Sequence, residues 1–397
     1  MRKKRLFNPI RMPLGSDKWI NISITILVFF GLIMVTSASM GIAVSDNTYL
    51  VRTVIKQIIF SIGGYIAMLF MAKNFNFYIL KKNIMFIMIS TGLFLLFPLF
   101  FSAVGGAKAW IRINLAGIDV TIQPSEFSKV IIICIIAAYL GDLTKKVSKP
   151  SDLVKAPFVA LLFYVGVVIV LQSDFGSGVV MFVIACICFL IPKHPQLRRY
   201  QIILVMLIII GIILAIFILS PLGEGLIEIL PLQTYQKNRI LSSINPFIDR
   251  YAAGYQLING LISFATGGFF GTGFGNSIRK YTNFPAANTD FILAIVVEEV
   301  GFIGFMIIFI TYLIIVVQLF RYAFKIKSEK GQIVLVGTAM YILVHFLFNV
   351  GGVTGLIPLT GVPLLMISAG GSSTMSLMMA IGISQAVINQ FKQGKLQ

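Results

Sequence analysis

Asp290 stands where a polar, proline-marked loop, Phe284-Pro-Ala-Ala-Asn-Thr-Asp290, runs into a long apolar segment. Glu298 and Glu299 follow inside that segment, eight and nine residues on. A carboxylate at such a junction offers two chemistries. It can cap a helix by accepting an orphaned backbone N–H, as Asn288 and Thr289 also can. It can instead serve as a general base, or stabilise charge, beside a bound substrate. Glu298 and Glu299 point about 100° apart on a helix and lie roughly 12–14 Å deeper than Asp290. A charge at bilayer depth costs ~3 kcal/mol or more. At least one of the two must therefore face inward to a partner. They read either as a structural pair with a basic residue or as direct participants in chemistry.

Cations provide the complementary set. In Gln123-Pro-Ser-Glu-Phe-Ser-Lys129, Pro124 and Ser125 read as a helix start with Glu126 in its first turn. Glu126 and Lys129 share a face. They form an intrahelical ion pair, or else Lys129 meets an anion near the surface. In Gly105-Gly-Ala-Lys-Ala-Trp-Ile-Arg112, Lys108 and Arg112 flank Trp110 beside a glycine pair. Trp110 is either an interfacial anchor or a face for a sugar, with the two cations suited to phosphate. Arg239, Arg250, Arg279 and Lys280 lie in one long connection and ask for lipid headgroups or an anionic substrate. The run Gly267-Gly-Phe-Phe-Gly-Thr-Gly-Phe-Gly275 can cradle phosphate through backbone N–H groups, although it fits no P-loop or dinucleotide fingerprint.

The elements that must carry these residues are membrane spans. The chain of 397 residues is 58% hydrophobic and 12% charged, with a mean hydropathy of +0.95. Soluble domains are ~45–50% apolar and ~25% charged. A span needs ~20 mostly apolar residues. The expected fold is an all-α polytopic membrane protein, a single domain over 1–397, with about ten transmembrane helices. The candidates are Ile20–Ser37, Val54–Met71, Ile84–Phe101, Phe127–Leu140, Phe158–Leu171, Gly178–Ile191, Ile202–Leu219, Phe291–Leu319, Ile333–Val350 and Thr374–Ile388. The fifth and sixth are short and flank Gln172-Ser-Asp-Phe-Gly-Ser177, as a hairpin that does not fully cross would. Basic residues cluster in alternate connections: Arg2, Lys3, Lys4, Arg5, Arg11 and Lys18; Lys73, Lys81 and Lys82; Lys145, Lys146, Lys149 and Lys155; Lys193, Arg198 and Arg199; Arg321, Lys325, Lys327 and Lys330; Lys392 and Lys395. The positive-inside rule then puts both termini, 1–19 and 389–397, in the cytoplasm. It also puts a large loop, 220–289, outside between spans seven and eight. Within it, Tyr255–Ser263 has amphipathic helical spacing. The net charge of +18 thus belongs to inner loops rather than to nucleic-acid binding. Three cysteines in apolar runs and two distant histidines exclude a zinc site or a disulfide framework.

At these residues the chain resembles the SEDS family (shape, elongation, division and sporulation) of bacterial cell-wall glycosyltransferases. The motifs are Gly106-Ala-Lys-Ala-Trp-Ile, Gln123-Pro-Ser-Glu-Phe-Ser-Lys, Leu171-Gln-Ser-Asp-Phe-Gly, Asn245-Pro-Phe, Gly267-Gly-Phe-Phe-Gly-Thr-Gly and Pro285-Ala-Ala-Asn-Thr-Asp-Phe-Ile. Asn349-Val-Gly, Leu356-Ile-Pro-Leu-Thr-Gly-Val-Pro and Gly370-Gly-Ser-Ser complete them. Ala286 and Ala369 depart from the family pattern.

The resemblance implies polymerisation of lipid II at the outer face of the bacterial cytoplasmic membrane, with polyprenyl pyrophosphate leaving. It implies that Asp290 and Trp110 are the essential residues. Lys108, Arg112, Lys129, Arg239, Lys280 and Glu126 are then expected to bind substrate. Glu298, Glu299, Asp174 and Ser372 are expected as structural or secondary polar groups. The resemblance also implies stimulation by Mg2+ or Mn2+, with Asp290 as a candidate ligand. The expected partners are a class B penicillin-binding protein and other membrane proteins of division or elongation. Asn245-Pro-Phe-Ile-Asp-Arg250, Gly275-Asn-Ser277 and Val350-Gly-Gly-Val-Thr-Gly355 lean toward the division-type members, and hence the septum. Two other classes are carried beside the enzyme: a lipid II flippase, which needs a deep pathway lined by Glu298 and Glu299, and a non-enzymatic division scaffold.

Overall fold

The computed structural model describes residues 11–396 apart from 45, 47, 105, 116–117, 144–150, 221–222, 224, 226, 228–233, 248, 252–253 and 283. Arg2, Lys3, Lys4, Arg5, Lys145, Lys146 and Lys149, used above for orientation, lie outside the described residues.

Each apolar segment read from the sequence contains a helix. In chain order these are α1 (Lys18–Ala43), α2 (Tyr49–Asn74), the short α3 (Phe77–Lys82), α4 (Ile84–Leu96), α5 (Pro124–Leu140), α6 (Ser151–Gly166), α7 (Phe175–Phe189) and α8 (Arg198–Ile218). The long connection carries α9 (Thr234–Ile244) and α10 (Tyr255–Gly267). The chain ends with α11 (Ile292–Lys325), α12 (Glu329–Thr354) and α13 (Gly371–Lys392). Among the described residues, 7 helices are long and apolar enough to cross a membrane. They are α1, α2, α6 with the π turn Val167–Leu171 that extends it, α8 with the turn before it, α11, α12 and α13. The fifth segment is therefore longer than expected, because the helix begins at Ser151. Only α7, at 15 residues, keeps the shortness expected of that hairpin.

The bundle is organised around α12 and α13, which are buried along most of their length. By contrast α8 has no buried residue and turns its apolar side chains outward. A membrane supplies the apolar surroundings that such a helix requires.

The fold is helical as expected, with two local features the sequence reading did not include. Residues Ile111–Leu115 (β1) and Ile118–Ile122 (β2) form an antiparallel hairpin, with Arg112 opposite Thr121. Ile111, Ile113 and Leu115 alternate with polar residues, as do Ile118, Val120 and Ile122, the period of a strand. The second feature lies inside α11. Gly301 has φ 72° and ψ −168°, which breaks the helix one residue after Val300.

That break explains the glycine-rich run. Thr272 N donates to Glu298 O at 2.9 Å and Gly273 N to Glu299 O at 3.0 Å, on one side of the break. Phe302 N donates to Gly268 O at 2.9 Å and Ile303 N to Phe269 O at 3.3 Å, on the other. A helix interrupted at membrane depth must have its freed backbone groups satisfied by protein. The N–H groups of Thr272 and Gly273 are thus committed to α11 rather than to the phosphate cradle expected of this run.

Candidate active site

Three turns meet at one end of the bundle. The first, Pro285–Phe291, delivers Asp290 to the start of α11. The helix N-cap is Phe291, with no side-chain cap bond, so Asp290 is not the cap that its type and position allowed. The backbone of the turn is instead held by the C-terminal part of the chain. Ala369 N donates to Asn288 O, Ser368 Oγ to Thr289 O and Asn349 Nδ2 to Asp290 O, each at 2.8 Å. Asn288 Nδ2 donates to Ser39 Oγ and Tyr49 OH, both at 3.1 Å, which ties the turn to α1 and α2.

The second is the loop between α12 and α13. Arg239, reaching over from α9, donates through Nη1 to Leu359 O at 3.1 Å. Gly361 follows with φ +71°. A Cβ at that glycine would stand 3.6 Å from Arg239 Nη1 and 3.7 Å from Asp290 Oδ2. Carboxylate and guanidinium therefore flank the bare face of Gly361, a backbone conformation that suits glycine.

The third is the turn before α7. Asp174 caps that helix, accepting from Ser177 N at 3.1 Å. Its other oxygen accepts from Gln123 Nε2 at 2.7 Å. Gln123 N in turn donates to Ser372 Oγ at 3.0 Å, and Ser372 Oγ to Thr121 O at 3.3 Å. Asp174 and Ser372 thus join the starts of α5, α7 and α13. Lys108 N donates to Gln172 O at 2.8 Å, attaching the segment that carries Trp110, just before β1, to this turn. Trp110 is half-buried, while Lys108 and Arg112 are exposed.

The electrostatics follow from this meeting. Burial pushes the Asp290 carboxyl up to about 6. Arg239 pulls it down, and the Asp174 carboxylate pushes it further up. Such a carboxylate is a better proton acceptor than an ordinary aspartate, yet is still largely ionised at neutral pH.

Several residues expected at the substrate are elsewhere. Lys129 is fully buried, 2.6 Å from Glu126 Oε1 and 3.0 Å from His345 Nε2. Tyr341 OH donates to Glu126 Oε2 at 2.8 Å and pairs with Ser376 Oγ at 2.8 Å. The ion pair that the spacing allowed is formed, and no face of Lys129 is left for an external anion. Lys280 is buried too, donating to Glu299 Oε1 at 2.8 Å, Gly275 O at 2.8 Å and Ser37 Oγ at 3.0 Å. Its three N–H bonds are matched by three acceptors. Glu298 accepts from Ser263 Oγ, Ser277 Oγ and Ile278 N at 3.0, 2.7 and 3.0 Å. Both deep glutamates therefore fasten the long connection to α11.

The sequence reading quoted Asn349 only as part of a motif, gave His345 no role beyond a rejected metal site and left Tyr341 out. The available signal was their spacing. Tyr341, His345 and Asn349 recur every four residues and share one face of a largely apolar helix. For a metal, Asp290 and Asp174 present the hard oxygen donors that Mg2+ or Mn2+ takes. Among the described residues no group of three or more His, Cys, Asp or Glu forms.

Residues 18–393 match the family model FtsW/RodA/SpoVE, described as "Cell cycle protein". The chain is 32% identical over 368 residues to the probable peptidoglycan glycosyltransferase FtsW of Francisella salina, covering 90% of this chain and 85% of that protein. It is 32% identical over 365 residues to stage V sporulation protein E of Bacillus subtilis, covering 90% and 93%. A chain of a peptidoglycan synthase complex that coordinates polymerization and crosslinking shares the fold, with TM-score 0.69, 20% identity and coverage of 95% and 99%. Thermus thermophilus RodA does so with TM-score 0.62, 19% identity and coverage of 95% and 98%.

Proposed function

The chain belongs to the FtsW/RodA/SpoVE family of cell cycle proteins, and from that premise we propose that it is a peptidoglycan glycosyltransferase that polymerises lipid II. The observation that carries the reading is Asp290. Its turn is held by Asn349 of α12 and by residues 368–369 before α13, its carboxyl is pushed up to about 6, and it faces Arg239 across Gly361.

In the proposed reaction Asp290 accepts the proton of an acceptor sugar hydroxyl. The freed oxygen attacks the anomeric carbon of the donor with inversion. The bond from that carbon to the pyrophosphate oxygen breaks, and polyprenyl pyrophosphate departs with the electron pair. Positive charge must meet the leaving group. Arg239 and the exposed Lys108 and Arg112 provide it, and Trp110 beside them offers a face to a sugar. The buried Lys129 and Lys280 are left out of this role, and Glu126 with them. Where Mg2+ or Mn2+ takes part, Asp290 and Asp174 would hold it, and it would supply further positive charge toward the pyrophosphate.

The reading puts both chain ends in the cytoplasm and Asp290 at the outer face of the bacterial cytoplasmic membrane. The FtsW relatives favour a role in division, at the septum. The likeness to a chain of a polymerising and crosslinking complex favours a class B penicillin-binding protein as partner. A flippase would need Glu298 and Glu299 to line a passage, and both are enclosed by fixed partners. The test is lipid II polymerisation by the purified chain with its co-expressed partner in liposomes, wild type against Asp290→Asn. Polymer from the wild type alone supports the reading; equal polymer from both would refute the role of Asp290.

A further inference from the structure

Asn349 is buried in α12, and nothing in the proposed chemistry uses it. Its Nδ2 donates to two carbonyls, Asp290 O at 2.8 Å and Val362 O at 2.9 Å. These belong to two of the turns whose meeting makes the site. Asp290 supplies the carboxylate. Val362 follows Gly361, whose open face looks onto Asp290 Oδ2 and Arg239 Nη1. Arg239 is tied to the same loop through Leu359 O. Acid and cation are therefore registered to one short stretch, 359–362, the cation directly and the acid through Asn349.

Two further facts bear on this amide. The helix after Asp290 has no side-chain cap, so this aspartate is held from α12 and not by its own helix start. Asn349 Oδ1 is buried and meets no donor among the described residues. An unmet buried oxygen is unfavourable, so the net gain of the residue at this place lies in its NH2 group.

We propose that Asn349 is a positioning residue for Asp290: it clamps the Asp290 peptide to the Gly361 loop and so fixes the gap between the Asp290 carboxylate and the Arg239 guanidinium. This rests on the glycan-polymerising reading above. The charged groups that bear on Asp290 are Arg239 from α9 and Asp174 from the turn before α7. His345, one turn from Asn349, meets Lys129 and Pro363 O beneath the loop.

The experiment uses the full chain with its co-expressed partner in liposomes and lipid II as probe. It compares wild type, Asp290→Asn, Asn349→Leu and Asn349→Ser. A misplacement of about 1 Å costs about 100-fold in rate, so Asn349→Leu should lose about 10- to 100-fold in kcat with KM changed less than about threefold. Asn349→Ser, which keeps one donor, should fall between. Wild-type kcat in a folded Asn349→Leu, beside an inactive Asp290→Asn, would overturn the inference and leave the functional reading intact. No polymer from wild type would overturn the reading and the inference together. If Asn349→Leu does not fold, Asn349→Ser carries the test: a folded variant with lowered kcat and little change in KM supports the inference, and wild-type kcat would overturn it.

Discussion

Lys280 Nζ lies 2.8 Å from Glu299 Oε1, and neither side chain has any exposed surface. The pair joins the end of the long connection to α11, and Ser37 of α1 donates to the same carboxylate at 2.7 Å. Removing one partner of a buried pair leaves the other charge unmet, at about 3–5 kcal/mol. Lys280→Met should therefore be strongly destabilising. Lys280→Met with Glu299→Gln should recover most of that loss, because no charge is then stranded. Thermal melting in detergent of both singles and the double gives the coupling directly. Additive losses would show that the two side chains do not depend on each other.

Glu298 is held differently, by hydroxyls and backbone N–H groups from α10 and from residues 277–278. Glu298→Ala leaves these donors unmet, each costing about 1–3 kcal/mol when buried. Because the donors lie in the long connection, the expected effect is local. Amide hydrogen exchange should accelerate across residues 263–281 while the centre of α12 keeps its protection. Glu298→Gln, which keeps one acceptor, should be milder. Uniform acceleration over the whole chain would contradict a fastening role.

The contrast between these glutamates and Asp290 shows what the sequence could carry. Asp290 was legible because it marks a change of composition, and each apolar segment that became a helix was legible because lipid demands such runs. The partner of Lys280 was not, since Glu299 lies 19 residues away and only the fold decides that they meet. Lys129 showed its partner through i,i+3 spacing, but its complete burial depends on α12. The break at Gly301 sits between Val300 and Phe302, and nothing in the sequence sets this glycine apart from Gly304, which stays helical. The glycine-rich run was read as a ligand cradle because its true ligand, the backbone of α11, has no side-chain signature.

Gly301 gives a test of that last relationship. Its φ of 72° is costly for any L side chain, and a Cβ there would run into Phe269 O. Gly301→Ala should either straighten α11 and release the four backbone bonds from the glycine-rich run, or hold the break under strain. A loss on the order of 3 kcal/mol or more is expected from several such bonds at about 1 kcal/mol each plus the clash. Gly63 in α2 is the control, since a Cβ there meets nothing within 4 Å. Gly63→Ala should be neutral or gain up to about 1 kcal/mol from helix propensity. Similar melting temperatures for the two variants would argue against the break being needed.

Asp290→Asn separates base from cap through pH. The carboxyl sits at about 6, above its ordinary 3.8, chiefly because burial disfavours the charged form. Between those values the folded chain holds more protons than the unfolded chain. Stability from this group therefore falls as pH rises through that window, and above about 6 the ionised form is a standing cost. Asparagine removes that cost, so the variant should melt at or above the wild-type temperature at pH 7.5. Wild-type polymerisation should follow the opposite course. It needs the ionised form, so the rate should drop as pH falls through about 6, approaching tenfold per unit below it. The variant should make no polymer at any pH. A cap would behave the other way, with ~1 kcal/mol of stability lost and activity kept. Melting curves and gel-resolved glycan products across pH 5–8 tell the two apart, since greater stability together with lost polymerisation is the signature of a group held at a cost for chemistry.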